Sequence, residues 1–135
     1  MKKFFGVLAV LAFCFVSCDE SKFNVFDDEN AIAGKYDKYY EGTSVRKNLG
    51  NEYSQRSSSF TGLRTIKTIN GNQKFDVNLT TSSGRFKLVL VDENKVITVC
   101  EGNANSSFEF PELSGKKCKL KIVGDKAEYD LKITF

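Results

Sequence analysis

The chain of 135 residues is long enough for one domain, and its content of 41% hydrophobic and 27% charged residues is typical of a globular protein. It contains no histidine, the side chain most used for general acid–base catalysis and metal binding at neutral pH. The net charge is only +3 and both signs are mixed along the sequence, so no basic patch points to nucleic acid. The composition therefore argues against most hydrolases and against nucleic-acid binding.

Residues 1–17 have the pattern of a secretory signal. Lys2 and Lys3 precede an apolar run over 4–16, which is shorter than the about 20 residues that span a bilayer. The segment Phe15-Val16-Ser17-Cys18 then resembles the lipobox of bacterial lipoproteins, whose cysteine thiol is diacylated before the signal is cut off ahead of it. The resemblance implies a mature chain that begins with lipidated Cys18, on the outer side of the cytoplasmic membrane or at the cell surface. The alternative is a plain signal peptide and an unmodified Cys18.

Residues 18–53 are interpreted as the lipidated cysteine followed by a tether and a poorly defined segment. This part is acidic at its start and carries glycines at regular intervals. Apolar residues at helical spacing predict a short helix within 28–40, and 45–49 fits a strand.

The segment 54–135 is predicted to be an all-β domain, an antiparallel β-sandwich of about seven strands. Stretches of alternating apolar and polar residues recur here, as in strands with one buried face. Turn-forming residues separate them, at 70–72, 82–84, 92–94 and 124–125. This spacing is typical of a sandwich.

The last twenty residues carry the strongest alternation. Gly124 and Asp125 separate two alternating runs, and Gly at the first position favours a two-residue type II′ hairpin turn. That turn predicts a register with Leu120 opposite Tyr129 on the buried face. On the exposed face it leaves Lys117 opposite Lys132, an unfavourable pair of like charges.

Five parts of this domain carry a family resemblance: 84–92, 101–102, 113–115, 119–123 and 129–131. In layout they are similar to the C-terminal β-sandwich domains appended to secreted bacterial peptidases, and to small bacterial lipoproteins. The resemblance implies a jelly-roll-like sandwich that serves attachment or binding, without catalytic residues or a cofactor.

Of the four cysteines, Cys14 is removed with the predicted signal and Cys18 carries lipid, so Cys100 and Cys118 remain. In an exported protein such a pair favours a disulfide, which contributes about 3 kcal/mol for a loop of this length. The alternative is two buried thiols, because free cysteine packs as a small hydrophobic residue. Two cysteines without histidine do not suit zinc, and the acidic stretches 27–30 and 92–94 lack the spacing of a calcium loop. We therefore expect no metal and no cofactor.

A cluster of tyrosines and cations is the candidate binding patch. Aromatic side chains beside cations are typical of contacts with a protein or a glycan, whereas the alternative is that the tyrosines only cover an open face of the sandwich. The members of the patch are Tyr36, Tyr39, Tyr40, Tyr53, Arg46 and Arg56.

The expected function is that of a lipid-anchored, non-catalytic binding or interaction module, with the membrane as one partner and a protein or glycan as the other. The first alternative is a lipoprotein inhibitor or immunity-type protein that masks a partner enzyme. An enzyme is the second alternative, disfavoured because neither a histidine nor a paired-carboxylate spacing supplies the acid and base.

Lipidation at Cys18 can be tested directly. We expect mass spectrometry of the native protein to find an acylated N-terminal cysteine, and Cys18→Ala to release the protein from membranes because two or more acyl chains are needed for stable anchoring. A mature chain that begins elsewhere and stays in the aqueous fraction would contradict the prediction.

Overall fold

The structure, a computed structural model, describes residues 21–135, so the predicted signal and Cys18 lie outside the described residues. One short helix, α1 (Glu29–Ala33), precedes the strands, and a 3-10 turn (Pro111–Leu113) precedes the last of them. None of the described helices is long and apolar enough to cross a membrane. The seven strands are β1 (Lys38–Glu41), β2 (Ser44–Leu49), β3 (Glu52–Asn70), β4 (Phe75–Asp92), β5 (Lys95–Glu101), β6 (Ala104–Phe108) and β7 (Lys117–Thr134).

Three long strands form the centre of an entirely antiparallel sheet, in the order β3-β7-β4. The N-terminal half of β3 pairs with β2 and its C-terminal half with β1. In the same way the N-terminal half of β4 pairs with β6 and its C-terminal half with β5. Two five-stranded layers result: the first layer contains β2 and β6 at its edges, and the second layer contains β1 and β5. The fold is an all-β, jelly-roll-like antiparallel sandwich, as the sequence predicted.

The long strands pass from one layer to the other through a bend at one common level. The register shifts between 57 and 62 in β3 and between 81 and 85 in β4, and in β7 Lys126 has a φ of 50°. Gly84 lies at this level with a φ of 73°, and a Cβ there would stand 2.1 Å from the Lys126 carbonyl oxygen. Only glycine fits at this crossing, because no side chain has room and the left-handed backbone is costly for other residues.

The main core lies between the two layers, and three aromatic rings pack together at the bend. The Phe86 and Tyr129 rings stack with centroids 4.0 Å apart, and the Phe60 ring meets Tyr129 edge-on at 6.0 Å. All three side chains are at most 1% exposed. Aromatic pairs of this kind add about 0.5–1.5 kcal/mol each beyond the burial of their area.

The predicted C-terminal hairpin is wrong. β7 is one continuous strand in which Leu120 lies opposite Leu90 and Tyr129 lies opposite Ser57. The side chains that face the core change from even to odd positions between Ile122 and Ala127. A two-residue turn and a bend both produce this change of phase, so the alternation alone did not distinguish them.

The turn predicted at 82–84 is also wrong, since Ser83 and Gly84 lie inside the continuous strand β4. The strand count of about seven is confirmed, but four of the predicted strands are halves of β4 and β7. The sheet begins at Lys38, within the segment that the sequence left poorly defined. The helix in that segment covers only Glu29–Ala33, and the strand expected at 45–49 is β2.

Residues 23–35, here called the N-terminal strap, cover the outer face of the second layer. Phe26 and Ile32 are 2% and 0% exposed and pack in a small cluster with Val89, Val91 and Val123. Burial of the two large side chains contributes roughly 1.5–3 kcal/mol each. The segment after the predicted lipid site is therefore part of the folded domain from the strap onward.

Three cations of the sheet hold the strap in place. Lys121, only 1% exposed, donates from Nζ to the carbonyl oxygens of Ile32 and Gly34 at 2.7 and 2.9 Å, where α1 ends. Burial lowers the pKa of this ammonium group, and the helix carbonyls offset part of that cost. Arg85 pairs with both carboxylate oxygens of Asp27 at 3.0 and 3.1 Å. In addition, Lys87 donates to a carbonyl of the strap at 2.8 Å.

The register of β7 gives a test of the fold. Lys132 Nζ lies 3.7 Å from Glu52 Oε2, so Lys132→Glu replaces an attraction by a repulsion and should destabilise the protein by about 0.5 kcal/mol. The predicted hairpin would instead give Lys117 an opposite partner and make the same change neutral or stabilising. Urea unfolding measures the difference.

Leu131→Lys is the matched control for this experiment. Leu131 is 0% exposed, so a charge there should cost about 3 kcal/mol or more in either register. A stabilised Lys132→Glu variant would contradict the continuous strand.

Candidate functional site

The structure divides the predicted tyrosine patch between two places. Tyr36, Tyr39 and Tyr40 are 84%, 39% and 41% exposed, but Tyr53 is only 3% exposed. Tyr53 lies on the inner face of β3, whereas Arg56 lies on the outer face and pairs with Asp130 at 3.0 Å. The expectation of one surface formed by all six residues is therefore wrong, because neighbouring positions of a strand point to opposite faces.

A single edge of the sheet carries the large hydrophobic side chains that are exposed in residues 21–135. We call it the tyrosine edge; it consists of Tyr36 and the strands β1 and β2. Each of these strands pairs only with β3 within the described chain. Its exposed members are Tyr36, Tyr39, Tyr40, Val45 and Leu49.

Just inside this edge, the core contains a group of polar side chains around Arg64, here called the arginine cluster. Arg64 is 6% exposed and donates from Nη2 to the Tyr53 hydroxyl and to Gln55 Oε1. Gln55 in turn donates from Nε2 to Glu41 Oε2 at 2.7 Å. The two layers thus meet here through hydrogen bonds, since Tyr53 and Gln55 belong to the first layer and Arg64 to the second.

Two cations and one carboxylate determine the electrostatics of the arginine cluster. Glu41 Oε1 accepts from the Ser44 hydroxyl at 3.1 Å and lies 3.7 Å from Arg46. Burial by itself lowers the pKa of the Arg64 guanidinium. The hydrogen bond to Tyr53 and the charge of Glu41 act in the opposite direction, and the pKa is raised overall. Burial raises the pKa of the nearby Tyr129 hydroxyl, which therefore stays protonated at neutral pH.

Sequence reasoning did not find the arginine cluster. In the stretch 53–58, Tyr53, Gln55 and Ser57 point inward and the polar residues between them point outward. Because the inward side chains also carry polar groups, the stretch lacks the apolar–polar alternation by which a buried face is recognised. The Thr- and Ile-rich stretch 63–69 contains two cations, Arg64 and Lys67, each between an apolar residue and a threonine. The structure buries Arg64 and exposes Lys67, and no local signal in the sequence distinguished them.

The outer face of the first layer carries an open groove of about 460 Å³ beside the bend. Hydroxyl side chains from β3 and β4 line it together with Arg56, Glu128 and Asp130. Its size and its mainly apolar lining surface are within the range of ligand pockets. Its cation Arg56 is, however, largely exposed and already pairs with Asp130, so it is not held in place to orient a ligand.

Cys100 and Cys118 are free thiols, so the structure does not contain the disulfide that the sequence left open. Cys100 lies opposite Leu88, which lies opposite Ile122. Ile122 is four residues from Cys118, which is about 13 Å along a strand. Disulfides need Cα atoms about 4.4–6.8 Å apart.

The aspartates of the two acidic stretches have structural partners. Asp28 accepts from the Ala31 amide at 3.1 Å as the N-cap of α1, and Asp92 pairs with Lys116 at 3.0 Å. Residues 21–135 contain no group of three or more His, Cys, Asp or Glu side chains that would hold a metal ion. The site that remains is the tyrosine edge with the arginine cluster beneath it.

No protein-family model matches the chain, and no curated protein matches it by sequence. Solved structures resemble it at low identity. A cupin superfamily protein from Desulfitobacterium hafniense is 12% identical, with a TM-score of 0.37, over 71% of this chain and 80% of that chain. The SPBc2 prophage-derived protein YomS is 13% identical, with a TM-score of 0.35, over 74% and 94%. The cupin domain of Drosophila melanogaster CENP-C is 11% identical, with a TM-score of 0.33, over 72% and 66%. These likenesses are to cupin and jelly-roll-like β-proteins and concern the fold alone.

The state of the cysteines can be measured by thiol titration. Burial raises the pKa of Cys100 to about 11 and also raises the pKa of Cys118, and the thiolate is the reactive form. We therefore expect the native protein to react very slowly with Ellman's reagent at pH 7.5, and the unfolded mature chain to release two equivalents without a reductant. No reaction after unfolding would indicate a disulfide and overturn the assignment.

Proposed function

We propose that this protein is a lipid-anchored, extracytoplasmic binding module that uses the tyrosine edge to bind another protein and carries out no catalysis itself. The observation that carries the proposal is the confinement of the exposed large hydrophobic side chains of residues 21–135 to Tyr36 and the strands β1 and β2. Contiguous exposed apolar side chains mark interaction sites, and tyrosine is enriched where interfaces concentrate binding energy.

The edge offers backbone groups as well as side chains. β2 is exposed at each of its six residues and pairs on one side only within the described chain. An extended segment of a partner can add to such an edge through main-chain hydrogen bonds. Arg46 and Lys47 on β2 discourage pairing with a second copy of this basic strand and favour an acidic partner segment. A glycan would not use the open backbone, so the edge favours a protein.

The lipid anchor proposed at Cys18 restricts where that partner can be. The strap begins at Phe23, whose ring lies 5.4 Å from Lys38 Nζ of β1. Five residues span at most about 17 Å, so the domain would lie close to the bilayer with β1 near its anchored side. The partner would then be a protein of the same membrane surface or one that reaches it.

The resemblance to accessory domains of secreted peptidases supports attachment rather than chemistry. The inhibitor or immunity-type alternative uses the same edge and differs only in the identity of the partner. It predicts that the captured protein is an enzyme whose activity falls when the complex forms.

Site-specific cross-linking of the full lipoprotein in its native membranes tests the proposal. A photoreactive amino acid at position 40 should give one discrete protein adduct, and the same group at position 105, on the opposite edge strand β6, should not. Adducts with lipid or glycan alone at position 40 would overturn the proposed protein partner.

Tyrosine substitutions supply the energetic test. Tyr36→Ser combined with Tyr40→Ser should weaken binding to the cross-linked partner at least tenfold, about 1.4 kcal/mol. Stability should change little because both side chains are exposed. Asn105→Ser is the control and should leave the affinity unchanged, and an equal loss in both variants would contradict the assignment.

A further inference from the structure

We propose that a cavity beside the end of α1 is a binding site for a phosphate monoester group. The cavity lies on the outer face of the second layer, between the N-terminal strap, the start of β7 and the turn that joins β4 to β5. The described residues that line it include neither Tyr36 nor any residue of β1 or β2. The site is therefore additional to the proposed protein-binding surface and does not depend on it.

The first observation is the size of the cavity, which has a volume of about 260 Å³. Ala33 and Gly34 line it from the end of the strap, and Val91 lines it from the sheet. Pockets for larger organic ligands have volumes of about 300–1,000 Å³. The smaller cavity therefore suits a compact group such as a phosphate with a few further atoms.

The second observation is the charge of the lining. Lys35, Lys117 and Lys119 line the cavity together with the carboxylate of Glu93, and three ammonium groups against one carboxylate leave a net charge of +2. A phosphate monoester carries about −1.5 to −2 charges at neutral pH and offers three acceptor oxygens. Its charge balances that of the lining, whereas the single charge of a carboxylate does not.

The third observation is that the three ammonium groups have donors to spare. None of the ion pairs within residues 21–135 involves Lys35, Lys117 or Lys119. Lys117 donates from Nζ to the neutral side-chain oxygen of Asn70 at 2.7 Å, which uses one of its three hydrogens. The Asn94 side chain lines the same cavity and adds a neutral amide donor. Lysine binds phosphate as a point charge, so no planar fork is required.

The fold itself places these lysines together. Lys117 and Lys119 are exposed on either side of a buried residue of β7, so both point to the outer face of the second layer. Lys35 directly follows Gly34, whose carbonyl oxygen accepts from the buried Lys121 at 2.9 Å. Burial and the charge of Lys119 lower the pKa of Lys121. An anion bound at Lys119 would offset the repulsion between the two lysines.

An NMR titration of the full lipoprotein in micelles of a neutral detergent tests the site, with glycerol 3-phosphate as the probe. The Hε–Cε resonances of Lys35, Lys117 and Lys119 should shift together and saturate with a Kd of about 1 mM, since exposed charges bind weakly. Glycerol is the neutral control and sodium acetate at equal ionic strength is the monoanion control. Acetate binding as tight as that of glycerol 3-phosphate would overturn the proposal, as would the absence of saturation at about 10 mM probe.

Substitutions of exposed side chains locate the binding. Lys119→Gln removes a hydrogen bond from a charged donor, so the affinity should fall about tenfold. Glu93→Gln removes the one like charge beside the phosphate and should raise the affinity about threefold. Lys132→Gln is the matched control, because Lys132 lies on the same strand β7 but on the outer face of the first layer. Equal losses in Lys119→Gln and Lys132→Gln would refute the site, as would weaker binding by Glu93→Gln.

A second titration distinguishes a soluble phosphate ester from a lipid headgroup as the source of the phosphate. The lipoprotein is placed in nanodiscs of phosphatidylcholine with and without phosphatidic acid, whose headgroup is a phosphate monoester. Shifts of the same lysine resonances with phosphatidic acid assign the site to the headgroup, whereas a response to glycerol 3-phosphate alone assigns it to a soluble ester. In either case the response should be weaker in Lys119→Gln, and a response of unchanged strength in that variant would contradict the site.

Discussion

One sheet can bury its apolar face against itself only if every strand that passes from one layer to the other bends at the same level. In this protein three strands cross, and the irregular positions of β3, β4 and β7 coincide there. Gly84 lies against the backbone of β7 at a distance that excludes any side chain. The stacked rings of Phe86 and Tyr129 fill the inside of the bend. Both layers and the core between them depend on this constraint.

The two ends of each long strand consequently have different neighbours, and this arrangement produces the candidate site. Tyr53 and Gln55 belong to one half of β3 and Arg64 belongs to the other, yet the bend brings them into hydrogen-bond contact. The short strands β1 and β2 close the core only partly on this side. A polar interior beneath an exposed apolar edge is the consequence. Buried polar groups of this kind are costly unless they are satisfied, which is why they indicate function more strongly than the open groove on the first layer does.

The outer faces of the two layers differ in polarity. That of the second layer is apolar around Val89 and Val123 and needs the N-terminal strap as a cover. Lys121 links the second layer to the strap through its hydrogen bonds to the end of α1. The outer face of the first layer is polar and needs no cover. If Cys18 carries lipid, the strap also determines how closely the domain is held to the membrane.

The sequence by itself determined the fold class, the approximate number of strands and the strand at 45–49, because period-two alternation depends only on which faces are buried. It also suggested exposed tyrosines, and three of the four proved exposed. Tertiary structure decided that 82–84 and 124–125 are bends rather than turns, since glycine and short polar residues permit both. It also decided that Tyr53 is buried beside Arg64 and that Cys100 and Cys118 are far apart. These are properties of contacts between distant segments, and no local pattern in one strand encodes which residue of another strand will lie against it.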